Sequence, residues 1–130
     1  MRYLVTISLC VAAVIHLLPL IGVLGGDRLQ ALYGVAISGP DLQILMRHRA
    51  VLFGLLGIYM LVAAFVPALQ PTALAMGLVS VLAFLLLAWT TEGYNASIAR
   101  VVTADVVALV ALLIGTAAYF VIRSRTWPHS

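Results

Sequence analysis

DLQILMRHRAVLFGLLGIYMLVAAFV, Asp41 to Val66, is the stretch that decides the fold. Its charges, Asp41, Arg47 and Arg49, crowd into the first third, and nothing from Ala50 to Val66 is charged. About 20 apolar residues at 1.5 Å each cross the roughly 30 Å hydrocarbon of a bilayer. A membrane-spanning strand of this length would alternate apolar and polar residues, and this one does not. The stretch therefore reads as a transmembrane helix.

Three further segments meet the same test: Tyr3 to Leu24, Thr72 to Thr91 and Ile98 to Ile122. The predicted fold is all-α: an integral-membrane four-helix bundle, left-handed and up-down, forming one domain over residues 1–130. Its helices are expected at about 3–24, 41–66, 72–91 and 98–122. Composition agrees, with 65% apolar and 8% charged residues and a mean hydropathy of +1.19. A soluble domain needs about a quarter of its residues charged.

The N-terminal run starts at Arg2 like a signal peptide, but it exceeds the roughly 7–15 residues of an ordinary signal core and contains His16 and Pro19. It is expected to be retained as the first span. Cys10 has no partner thiol and reads as a small core residue. Between the first two spans, DRLQALYG (Asp27–Gly34) predicts a short interfacial helix capped by Asp27. PALQP (Pro67–Pro71) is a tight turn that makes its flanking helices antiparallel neighbours, and EGYNAS (Glu92–Ser97) is a helix stop and turn. The tail RSRTWPHS has the make-up of an interfacial anchor.

Four spans put both termini on one side, with Arg2, Arg123 and Arg125 and no acid. The other side holds Arg28, Arg47, Arg49 and Arg100, so the raw count does not decide. With Arg47, Arg49 and Arg100 taken as partly buried and paired, the loop charges favour both termini inside, the cytoplasmic side if the membrane is a bacterial inner one. The formal charge of +3 comes from seven arginines scattered through apolar runs. They make no phosphate-tracking patch, so nucleic acid is excluded as a partner.

Small residues mark the packing seams, because lipid offers helices no hydrophobic drive to associate. They are Ala104, Ala108, Ala111, Gly115 and Ala118 on the fourth helix, and Ala50, Gly54, Gly57 and Ala64 on the second with Leu61 filling the rhythm. The third helix has Ala73, Gly77 and Ser80, and the first has Ser8 and Ala12 continued by His16. Their spacing, near 3.5 residues, is that of a left-handed bundle.

Ionisable groups gather in one layer. Counted from the loop-rich end, His16, Asp105 and the run Arg47–Arg49 all lie about 9–12 Å deep. Each costs about 3 kcal/mol or more there unless paired or hydrated. Arg47, three residues before Ala50, is the expected partner of Asp105. Arg49 points nearly opposite and is expected to reach for headgroups. Arg100, about 140° around the helix from Asp105, is a poor partner. The candidate ligand-binding set is thus His16, Arg47, His48, Arg49 and Asp105, with Glu92, Tyr94 and Asn95 closing it from the third loop. The plainer alternative for each is a structural ion pair, a hydrogen-bonded core histidine, or a turn residue.

The runs HLLPLIGVLG, LYGV, PDLQILMRHRAVLFGLLG and GYNASIARVVTADVVAL resemble small four-span bacterial membrane proteins, DoxX-like at the level of fold. The resemblance covers nearly the whole chain and is most specific around Arg47, His48 and Arg49. It implies a four-helix membrane fold and carries over no catalytic residues. Look-alikes are sometimes labelled phosphopantetheine adenylyltransferase, a soluble α/β enzyme with a TxGH-like motif. Neither that motif nor strand–helix alternation occurs in this sequence. Walker, GxGxxG, CxxC, HExxH and GxSxG patterns are missing too.

Four functions compete. The first is a binding or accessory module for a lipid-like or quinone-like headgroup, working with membrane lipid and a lipophilic small molecule, as a homo-oligomer or beside a membrane partner protein. No metal and no cofactor is expected for it. The second is an enzyme acting on a lipophilic substrate, with His16 or His48 as acid/base and Asp105 orienting it. The third is bis-histidine haem ligation by His16 and His48. The fourth is a transporter, which the lack of inverted repeats and broken helices disfavours.

Overall fold

The computed structural model describes residues 2–19, 30–31, 33–34 and 39–126. Among these residues the chain forms α1 (Arg2–Leu17), α2 (Pro40–Phe65), α3 (Gln70–Trp89) and α4 (Ala96–Thr126), with a 3-10 turn at Pro67–Leu69. No strand occurs among them. The fold is an all-α helical bundle. Each helix packs on its two neighbours in the cyclic order α1, α2, α3, α4, and the diagonal pairs barely meet. Thr6 at the start of α1 donates a 3.0 Å hydrogen bond to the Ala64 carbonyl at the end of α2, so these two helices are antiparallel.

The helix boundaries differ from the hydropathy boundaries for local reasons. Helical geometry in α1 stops at Leu17 and tightens to a 3-10 turn at residues 18–19, as Pro19 demands. The expected run to Leu24 and the Asp27 cap lie outside the described residues. α3 starts at Gln70 because Pro71 is tolerated in a first turn, where its missing N–H costs nothing. α4 continues to Thr126, past the expected Ile122, and carries Arg123 and Arg125 in its last turn. No proline intervenes before Pro128, and cations at a helix C-terminus complement its dipole.

Segments Pro40–Phe65, Pro67–Trp89 and Ala96–Arg125 are long and apolar enough to cross a membrane. α1 is apolar but shorter, about 24 Å over its described residues. The outer faces are apolar as well: Leu55, Ile58 and Phe65 of α2, Leu86 and Leu87 of α3, and Val106, Val107 and Leu113 of α4 are all exposed. A soluble bundle would present charge there.

The small-residue seams face inward. Ser8, Ala12 and His16 of α1, Ala50, Gly54, Gly57 and Ala64 of α2, Ala73 and Gly77 of α3, and Ala108, Gly115 and Ala118 of α4 are buried. The close approaches explain the glycines. A Cβ on Gly57 would stand 2.8 Å from Leu17 Cγ, and one on Gly115 would stand 2.9 Å from Ser8 Cβ. Leu61 does not fill the α2 seam. Leu61 is exposed, and Met60 and Ala63 are fully buried instead.

Candidate functional site

The seam correction on α2 decides which arginine faces inward. At about 100° per residue, Met60 and Ala63 pull the centre of the buried face away from Arg47 and toward Arg49. Arg49 then lies about 60° from that centre, Arg47 about 100° and His48 about 160°. The structure agrees: Arg49 is half-buried, whereas Arg47 and His48 are exposed. The expected pairing of Arg47 with Asp105 is therefore replaced by Arg49 facing Asp105, and His48 leaves the site.

Arg49 enters a pocket of about 240 Å³ at the end of the bundle away from Arg2. Its polar lining comes from His16 of α1, Arg49 of α2, and Ser97, Arg100 and Asp105 of α4, together with Tyr33. Phe53 and Phe84 supply apolar walls from α2 and α3. The end of α1, the start of α2, the end of α3 and the start of α4 meet here, as up-down connectivity requires.

The guanidinium of Arg49 is held by two aromatic residues. It donates to the Tyr33 hydroxyl, lies 4.5 Å from the Phe53 ring centroid, and lies 5.3 Å from that of Tyr33. Cation–π contacts of this kind stabilise by about 0.5–2 kcal/mol and fix the plane of the fork. Asp105 sits within coulombic reach of Arg49, and both side chains belong to residues that line the pocket.

His16 is 2% exposed. Its Nδ1 lies 2.8 Å from the Ala12 carbonyl and its Nε2 lies 3.1 Å from Ser80 Oγ. A carbonyl only accepts, so Nδ1 carries the hydrogen, and in the neutral ring Nε2 accepts from the Ser80 hydroxyl. The ring also stacks obliquely on Phe53, with centroids 5.7 Å apart. Both nitrogens are thus occupied and His48 faces outward, an arrangement unlike bis-histidine ligation. The orienting group on Nδ1 is a backbone carbonyl, where the acid/base reading placed Asp105.

The third loop contributes differently from expectation. Glu92 and Tyr94 are exposed and do not line the pocket. Asn95 works through others: its Oδ1 accepts from Ile98 N at 2.8 Å, capping α4. Its Nδ2 donates to the carbonyls of Tyr33 at 2.9 Å and Gly34 at 3.1 Å. That clasp lays Tyr33 over the pocket, where its ring packs with Met46, Ile98 and Val101. Gly34 takes φ 65°, and its N–H donates a 2.7 Å hydrogen bond to the Gln30 carbonyl.

Tyr33, Ser97, Arg100 and the two phenylalanines were not among the expected site residues. A signal existed for α4: Ser97, Arg100, Val101, Ala104 and Asp105 follow the i, i+3, i+4, i+7, i+8 pattern of one helix face. Arg100 and Asp105 diverge as a pair, yet both border that face. Tyr33 had no local signal, since its placement depends on Asn95, 62 residues away. The chain matches no protein-family model, no curated protein and no solved structure.

Proposed function

We propose that this chain is an integral membrane protein, spanning the bilayer four times, that binds the headgroup of a lipid-like or quinone-like ligand. Its kinship would be with the small DoxX-like membrane proteins. It would sit in a bacterial inner membrane with both termini cytoplasmic and the pocket at the opposite face. One observation carries the reading: Arg49 is held by Tyr33 and Phe53 at a pocket whose lining mixes polar and charged side chains with apolar ones. A guanidinium fixed in this way offers free donors to a phosphate, carboxylate or quinone oxygen, while Asp105 and the backbone-held His16 complete the polar lining.

Binding is favoured over acid–base turnover because both nitrogens of His16 are engaged, with Ala12 and Ser80. The direct test is mass spectrometry of the lipids and quinones that co-purify with the protein in mild detergent. Losing a charge-assisted hydrogen bond of about 1.5–3 kcal/mol should lower retention roughly 10- to 100-fold in Arg49→Ala. Arg47→Ala should retain the ligand. A folded Arg49→Ala protein with an unchanged lipid complement would remove the basis of the proposal.

A further inference from the structure

The pocket is too small for a whole lipophile. At about 240 Å³ it falls below the roughly 300 Å³ at which pockets begin to enclose drug-sized ligands. It suits a headgroup, so any apolar remainder must continue into adjoining apolar space.

Such space begins on the far side of the His16–Ser80 hydrogen bond. α2 and α3 touch least of the four neighbouring pairs, and a groove between them is lined by Leu52, Leu56, Tyr59, Ala75, Met76 and Val79, with Ser80 at its head. Ser80 joins the two regions, since its side chain lines the groove while its hydroxyl is bonded to His16 in the pocket. The two linings also adjoin along the chain. Leu52 of the groove precedes Phe53 of the pocket, and Phe84 of the pocket lies one turn beyond Ser80. From Leu52 to Tyr59 the groove runs about 10 Å along α2. It opens on the side of the bundle, between two helices apolar enough to cross a membrane.

We infer that the ligand is an amphiphile with one long chain, whose chain leaves the Arg49 pocket past Ser80 and lies in the α2–α3 groove. This rests on the headgroup reading above and adds to it the ligand class and a lateral route of entry from the bilayer. A second copy of the chain is the rival occupant. The hydrogen bond from Ser80 of the groove to His16 of the pocket favours the amphiphile, because a second copy would cover the groove without any relation to either residue.

The test uses the full chain in phosphatidylcholine nanodiscs, with dodecyl phosphate carrying a diazirine at its terminal carbon. After photolysis, labelled residues are mapped by mass spectrometry, and binding of phenyl phosphate, a headgroup without a chain, is measured in parallel. Label should concentrate at 52–59 and 75–80. Ala75→Phe fills the groove from an exposed position, so it should cut that label at least tenfold and leave phenyl phosphate binding unchanged. Arg49→Ala should reduce both. Label spread over lipid-facing residues such as Leu86 and Val107, or label insensitive to Ala75→Phe, overturns the chain assignment while phenyl phosphate binding still upholds the pocket. If Arg49→Ala changes neither readout, the headgroup reading itself fails. Cross-linking of two copies through the groove, abolished by Ala75→Phe, would make the groove a self-association surface and also overturn the inference.

Discussion

Replacing Gly115 by alanine tests the α1–α4 interface, and the sign of its effect should depend on Ser8. A Cβ built on Gly115 would fall on Ser8 Oγ, 2.9 Å from Ser8 Cβ and 3.4 Å from Leu74 Cδ2. Turning the hydroxyl away gives up its 2.9 Å bond to the Val5 carbonyl and leaves the Cβ clash in place. Carbon atoms pack at about 3.5–4.0 Å, so the helices must separate by roughly 0.6–1 Å. Overpacking of that kind costs about 1–3 kcal/mol, with the upper end expected because the obstacle is a Cβ. Alanine returns about 1 kcal/mol through helix propensity, leaving a net loss of about 2 kcal/mol. In a Ser8→Gly background the obstacle is gone, and the same change should stabilise by about 1 kcal/mol. The assay is a double-mutant cycle from unfolding curves in detergent micelles followed by circular dichroism. Equal shifts in the two backgrounds would refute the close approach.

Asn95→Ala should cost about 0.5–2 kcal/mol for the lost cap and also free the Tyr33–Gly34 turn, seen as faster hydrogen exchange at residues 30–34 than at the middle of α4. Both Ser80→Ala and His16→Phe break the part-buried α1–α3 hydrogen bond, at about 1–3 kcal/mol each where one partner is left unsatisfied. The double variant should cost less than the sum, and an additive result in thermal unfolding would mean the bond is not made.

Most of the fold was legible because long uncharged runs and regular small residues specify helices and their packing seams together. Ala50, Gly54, Gly57 and Ala64 face inward as their spacing says. The site was harder because it depends on angle. Reading the α2 seam as one regular stripe through Leu61 passed over the buried Met60 and Ala63, and the resulting rotation exchanged Arg47 for Arg49. Methionine carries no small-residue signal, so only packing reveals it. His16 and Asp105 were found by depth, which tolerates errors in rotation. Tyr33 was missed because a side chain from another part of the chain holds it.

The 31 residues of α4 have a mechanical consequence. At 1.5 Å each they reach about 46 Å, well beyond the roughly 30 Å of hydrocarbon, so in the bilayer proposed above the helix would lean or project at its ends. Its first three turns carry Ser97, Arg100 and Asp105, one whole side of the pocket. On the four-span reading proposed above, a lean of α4 against α2 would shift Asp105 relative to Arg49 and so tie the shape of the pocket to membrane thickness.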